Sequence, residues 1–180
     1  MTKKTNVVVA LIFLVLTSSV LSAQEEFQVE RGTKVILGYS PGGTALQVVL
    51  YAIERAREQI LVDAYELTSR PIAEALIEAK NKGVKVFVVC DGKENRKRYS
   101  VAGILSRNGI PVRLDDRFQI MHNKTLVIDN KSVETGSFNF TKQASSDRNA
   151  ENAILFEDVP GLAASYAQYW AKRWAESSPY

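Results

Sequence analysis

Two rhythms of apolar spacing run through this chain and alternate along it. Thr33–Tyr39 is strand-like and ends in the break Ser40-Pro41-Gly42-Gly43. From Ala45 to Arg57 apolar residues at Leu46, Val49, Leu50 and Ile53 follow helical spacing. Gln59–Tyr65 reads as a second strand. Ser69, with Pro71 in the first turn, opens a helix whose stripe is Ile72, Ala75, Leu76 and Ala79 and which Gly83 stops. Val84–Cys90 is nearly all apolar, the pattern of a strand buried on both faces. After Asp91-Gly92 a basic segment leads into a helix through Leu105, closed by Asn108-Gly109, and Pro111–Leu114 is a short fourth strand. Glu151–Glu157 is a later strand, and from Val159 a final helix presents Leu162, Tyr166, Tyr169, Trp170 and Trp174 as its apolar side, read as core. Gln24–Gly32, ahead of all these, is an arm or a short first strand. Strands alternating with helices predict an α/β fold with a largely buried mixed sheet, parallel in part.

Between the fourth strand and Glu151 lies the stretch that carries the chemistry, Met121–Phe140. Asn123–Ile128 is apolar and β-branched, Asp129-Asn130-Lys131-Ser132 is turn chemistry, and Val133–Ser137 returns, so a hairpin is expected. Strand parity puts His122 and Lys124 on one face, and Ser137 and Asn139 on one face. A two-residue turn at Asn130-Lys131, with Asp129 opposite Ser132, places Lys124 across from Ser137 and His122 across from Asn139. A base, a cation and two neutral hydrogen-bonding groups then share one patch, a grouping suited to a phosphate. By parity Asp129 falls away from that patch and belongs to the turn, and Glu134 falls on the face opposite Ser137.

Composition narrows the classes. The 180 residues fit one domain plus a targeting segment. Lys3-Lys4, the apolar run Val7–Leu16 and the small-residue stretch ending at Ala23 read as a secretory signal over residues 1–23. A single domain over 24–180 follows, and the expected location is periplasmic or secreted, with no stable membrane association after cleavage. The alternative is an uncleaved membrane anchor, against which the apolar run is short. Removing residues 1–23, which hold two lysines and no acids, brings the net charge from +3 to +1. Global charge therefore says little about a polyanionic partner, and its distribution says more. Lys93, Arg96, Lys97 and Arg98 cluster as a candidate nucleic-acid-binding segment. Cys90, the one cysteine, rules out an intrachain disulfide and reads as a small buried strand residue. Pro41-Gly42-Gly43 is a turn and no phosphate-cradling glycine loop occurs. One His, one Cys and scattered carboxylates make no preformed metal site, and Asp115-Asp116 reads as turn or surface, so neither metal nor cofactor is expected.

The spacing His122-x-Lys124-x4-Asp129-x6-Gly136-Ser137-x-Asn139 resembles the HKD signature of the phospholipase D superfamily, and most nearly its small bacterial endonucleases. The resemblance covers most of the chain after residue 30. It implies a layered α/β/α sandwich with a mixed sheet and one HKD motif per chain. It also implies that Glu151, opening the strand after the motif, orients His122, and that Asp129 and Gly136 are structural members of the motif.

Metal-independent phosphodiester hydrolysis needs a nucleophile, an acid for the departing oxygen and fixed positive charge on the non-bridging oxygens. His122 supplies the first and Lys124 the charge, with Ser137 and Asn139 adding hydrogen bonds. Superfamily members with two motifs place both histidines in one site, one forming a phosphohistidine and the other protonating the leaving group. With one histidine per chain, that chemistry implies a homodimer with a shared active site on its two-fold axis. A non-specific nuclease acting on DNA, and on RNA as a further option, is the leading expectation. A phosphatidyl or cardiolipin hydrolase is the alternative enzyme, and a non-catalytic nucleic-acid-binding module the alternative from another class.

Overall fold

A computed structural model describes residues 25–146 and 148–180. The signal segment expected at 1–23 lies outside the described residues. No described helix is long and apolar enough to cross a membrane. The strands are β1 (Val35–Ser40), β2 (Gln59–Ala64), β3 (Lys85–Asp91), β4 (Val112–Asp115), β5 (Lys124–Ile128), β6 (Ser132–Gly136), β7 (Glu151–Phe156) and β8 (Ser178–Pro179). The helices are α1 (Thr44–Arg55), α2 (Arg70–Asn81), α3 (Gly92–Asn95), α4 (Ala102–Arg107) and α5 (Pro160–Glu176). All eight strands join one sheet in the order β1-β7-β6-β5-β2-β3-β4-β8. β2, β3 and β4 are parallel, connected through helices, and every other pairing is antiparallel.

Helices cover both faces of the sheet, giving the expected α/β/α layering. Alternate residues of β3 divide between two cores. Val86, Val88 and Cys90 join the larger one, with Ile60, Val62, Leu126 and the apolar stripes of α1, α2 and α4. Phe87 and Val89 face the other side, where Leu61, Met121, Val127 and Val133 pack against Ala163 and Trp170 of α5. Trp170 also donates its indole N–H to the Val62 carbonyl at 2.9 Å, which fixes the rotation of α5 over the sheet. Tyr169, expected on the buried side of this helix, is instead 49% exposed, because Ala163, Tyr166 and Trp170 define the stripe and Tyr169 lies beside it. Cys90 is buried as expected, and burial pushes its thiol up.

Three local expectations are corrected. The helix read from the basic segment through Leu105 is two short helices, α3 and α4. Asn95 turns its side chain onto the Leu67 N–H and the Tyr65 and Asp91 carbonyls, and the Leu67 carbonyl takes Val101 N–H, so the loop after β2 captures this segment before a helix can run through it. Asp115 is the last residue of β4 and is buried, with Arg173 of α5 3.6 Å from its carboxylate; only Asp116 is a surface residue. The β5–β6 hairpin has a three-residue loop, Asp129–Lys131, with Ile128 opposite Ser132 and Thr125 opposite Thr135. Its register is thus one residue off that expected for a two-residue turn.

Asp129 is the reason for that shift. Its carboxylate accepts the backbone N–H groups of Arg57, Glu58 and Gln59, each at 2.8 Å, and ties the hairpin tip to the entry of β2. Asp129 and Asn130 take left-handed φ values of 54° and 52°, which Asp and Asn tolerate. A residue held this way cannot also pair across the hairpin. The structural role given to Asp129 therefore stands, by a longer-range contact than the turn alone.

Candidate active site

Because β5 runs antiparallel to β2, its first residue meets the C-terminal end of β2: Ala64 pairs with Lys124. One step further, Tyr65 N–H donates to the Asn123 carbonyl at 2.8 Å. The site therefore forms at the sheet edge where β2, β3 and β4 end and β5 begins, the usual place for ligands in open α/β sheets. Buried Asp91 pins the approach to it. One carboxylate oxygen caps α3 by accepting Glu94 N–H at 2.8 Å, and the other accepts Met121 N–H at 2.9 Å, directly before His122.

His122 is exposed, and its imidazole has no hydrogen-bond partner among the described residues. Its ring lies 4.8 Å from that of Tyr65, tilted by 60°. Lys124 is 5% exposed; its ammonium donates to the His122 carbonyl at 2.7 Å and sits 5.3 Å from the Tyr65 ring centroid. Burial lowers the Lys124 pKa to about 8, against opposing pulls from Glu151 and Glu66. Burial, then the Lys124 charge, holds His122 below its usual 6.5, with Glu151 pulling the other way. Near neutral pH this leaves an imidazole free to attack beside an ammonium that is still charged.

On the other side of the hairpin, β6 ends at Gly136. A Cβ there would lie 2.2 Å from the Asn152 carbonyl oxygen, so the chain passes against β7 only as glycine. Ser137 and Phe138 N–H both donate to that oxygen, at 3.1 and 3.2 Å, and the strand leaves the ladder. With the register shifted and β6 finished, Ser137 does not sit across from Lys124 as a ladder partner. It donates instead to Glu151 at 2.6 Å, and Asn149 donates to the other Glu151 oxygen at 2.8 Å. Glu151 is thus held by Ser137 and Asn149, and acts on His122 and Lys124 through its charge without a direct hydrogen bond. Asn139 has its side-chain oxygen buried without a partner among the described residues, and its neighbour Phe140 accepts Thr68 and Ser69 N–H at 2.9 Å.

Of the candidate nucleic-acid segment, Arg96 makes a bidentate pair with Asp116 at 2.6 Å and Lys97 pairs with Glu94, while Lys93 and Arg98 are exposed. Two of these four cations are therefore already engaged. Tyr65 and Glu66 were absent from the sequence-derived site. Burial and the neighbouring Glu94 raise the Glu66 pKa, and Glu66 in turn acts on Lys124. The hint lay in Tyr65 ending the second strand, but only the pairing of β2 with β5 brings it to His122.

An imidazole and a buried ammonium where β5 begins, an amide just past the end of β6 and a carboxylate opening β7 are the kinds of group a phosphodiesterase site uses. Residues 49–174 match the family described as cardiolipin synthase, PLD-like domain. The chain is 40% identical over 145 residues to a phospholipase D of Rickettsia felis, covering 81% of this chain and 72% of that protein. It is 32% identical over 136 residues to a mitochondrial cardiolipin hydrolase of Chlamydomonas reinhardtii, covering 76% and 60%. The crystal structure of Nuc, a phospholipase D family member from Salmonella typhimurium, aligns with a TM-score of 0.79 at 43% identity, covering 82% of this chain and 98% of that one. The chain belongs to the phospholipase D-like family and is a phosphodiester hydrolase.

Proposed function

We propose that this protein is an exported, metal-independent endonuclease that cuts DNA, and RNA as a further substrate, through a phosphohistidine on His122 in a dimeric site. Neutral His122 attacks phosphorus, forming a P–N bond as the P–O bond to the leaving group breaks. The leaving oxygen takes its proton from protonated His122 of the partner subunit. Water then attacks the phosphohistidine, giving its proton back to that imidazole as the P–N bond breaks. Lys124 holds the non-bridging oxygens, whose charge grows as the phosphoryl group transfers. One observation carries the reading: the half-site holds a single imidazole, a nucleophile without the acid its reaction requires.

The test uses the mature protein on plasmid DNA with a chelator present. Nicking that survives chelator and disappears in His122→Ala supports the proposal; loss with chelator, or activity retained in His122→Ala, refutes the mechanism. Mixing wild-type chains with an excess of His122→Ala chains tests the shared site. In a histidine-sharing dimer each mixed pair has only one imidazole, so the wild-type chains should lose turnover as they pair with the variant; turnover that stays proportional to the wild-type chains would exclude the shared site.

A second reading has its own support. Phe118 and Ile120, just before His122 in the chain, are 46% and 52% exposed and would supply an apolar rim beside it. Such a rim suits a lipid phosphodiester, and relatives carry the names phospholipase D and cardiolipin hydrolase. Hydrolysis of cardiolipin or phosphatidyl vesicles with no action on DNA would select it.

A further inference from the structure

A groove of about 690 Å³ is lined by residues that follow Tyr65 and Asn139 in the chain, and neither motif nor mechanism uses it. Both of its walls start within a few residues of catalytic groups. One continues from Tyr65, which touches His122 and Lys124, through Glu66 to Thr68. The other continues from Asn139 through Phe140 to Thr141, Lys142 and Gln143. The two walls are fastened where Thr68 and Ser69 N–H meet the Phe140 carbonyl, so the groove has a fixed floor. Thr68 and Lys142 also line a second hollow of about 510 Å³ that reaches Arg70 at the start of α2. The walls therefore extend beyond what one phosphate needs.

Tyr99 lines the first hollow from the α3–α4 connection and is 59% exposed. Its ring is steadied from one side by Lys97, whose ammonium sits 5.8 Å from the ring centroid while paired to buried Glu94. Lys142 and Arg148 are exposed on the wall opposite the Glu66 side. Glu66 lines the other side, and its burial and its neighbour Glu94 raise its pKa, which weakens its charge toward a polyanion. An exposed, propped aromatic face and two cations with no ion-pair partner among the described residues, along a polar groove, are the equipment for a single nucleic-acid strand. The ring takes a base by its π-face and the cations take the backbone. A base inside a duplex offers no such face.

Resting on the endonuclease reading, we propose that this groove binds the unpaired nucleotides flanking the scissile phosphate, with a base stacked on Tyr99 and the adjoining phosphate held by Lys142 and Arg148. The enzyme then prefers single-stranded over double-stranded substrate.

The experiment compares the mature protein with Tyr99→Ala, Tyr99→Phe and Lys142→Gln on three substrates: a labelled single-stranded oligonucleotide, the duplex of the same sequence, and bis(p-nitrophenyl) phosphate. Wild type should cut the single strand faster. In Tyr99→Ala the ratio of oligonucleotide to bis(p-nitrophenyl) phosphate kcat/KM should fall about tenfold, the scale of one lost base stack, with recovery in Tyr99→Phe. Lys142→Gln should lower the slope of log affinity against log salt by about one for the single strand. Oligonucleotide cleavage with an unchanged ratio in Tyr99→Ala, or faster cleavage of the duplex, overturns this inference and leaves the endonuclease reading standing. Vesicle hydrolysis with neither nucleic acid cut overturns both.

Discussion

Replacing Asp129 separates structure from chemistry inside the motif. Its carboxylate takes three backbone N–H groups at 2.8 Å, from Arg57, Glu58 and Gln59. Hydrogen bonds to a charged group contribute about 1.5–3 kcal/mol each, and with these peptides open to solvent about 1 kcal/mol each is the appropriate share. Alanine at a φ of 54° adds about 1 kcal/mol of left-handed strain. Asp129→Ala should therefore cost about 4 kcal/mol, a large part of a typical domain's 5–15 kcal/mol. Asp129→Asn keeps the left-handed preference and one acceptor oxygen, and should cost about half as much. With a urea m-value of about 2 kcal/mol/M, the midpoint should drop by about 2 M for alanine and about 1 M for asparagine. Phosphodiesterase kcat/KM, measured well below the unfolding range, should stay within about threefold of wild type for asparagine. A variant that melts like wild type yet loses turnover a hundredfold would place Asp129 in the chemistry and refute this assignment.

Three further outcomes follow from the site and its frame. The kcat/KM profile should be a bell, rising as the attacking His122 deprotonates below its usual 6.5 and falling as the acid, His122 of the partner subunit, loses its proton, with Lys124 deprotonating near pH 8 and steepening that fall; in Lys124→Arg, whose side chain stays charged, an alkaline limb as steep above pH 8 as in wild type would contradict the part given to Lys124. Glu134 is 1% exposed with one carboxylate oxygen unpartnered among the described residues, and burial raises its pKa well above normal, so it destabilises the fold increasingly as pH rises above the unfolded carboxylate range of about 4.3. Glu134→Leu should raise Tm by about 5 °C at pH 8 and by much less at pH 4, and calorimetry showing equal shifts would rule out a buried carboxyl as the cause. Gly136→Ala must push a Cβ away from the Asn152 carbonyl, costing about 2 kcal/mol and moving Ser137 from Glu151, so activity should fall more than tenfold; a wild-type rate and melt would show that the strand end has room.

Much of this protein is legible without coordinates because its signals are local. Period-2 and period-3.6 spacing set the strands and helices within a residue or two, since burial of one face depends on neighbours a few positions apart. The motif spacing singled out His122, Lys124 and Asn139 as candidates, and strand parity set apart Asp129, whose carboxylate is found on the entry of β2. The hairpin register was not legible, because it depends on Asp129 reaching residues 57–59, about seventy positions back. The split of the basic segment into α3 and α4 was hidden for the same reason: Asn95 answers to a loop thirty residues earlier.

What the sequence determined by itself is the set of candidate groups and the supply of imidazole, since one histidine per chain is a count that folding cannot alter. What only the tertiary structure decided is the company those groups keep. The antiparallel pairing of β5 with β2 set Tyr65 against His122 and brought Glu66 near Lys124. The exit of the chain at Gly136 turned Ser137 toward Glu151. Ion pairs with Asp116 and Glu94 drew Arg96 and Lys97 out of the free basic patch. Each depends on which distant segments share an edge of the sheet, and long-range hydrogen bonds and packing fix that edge where local periodicity cannot reach.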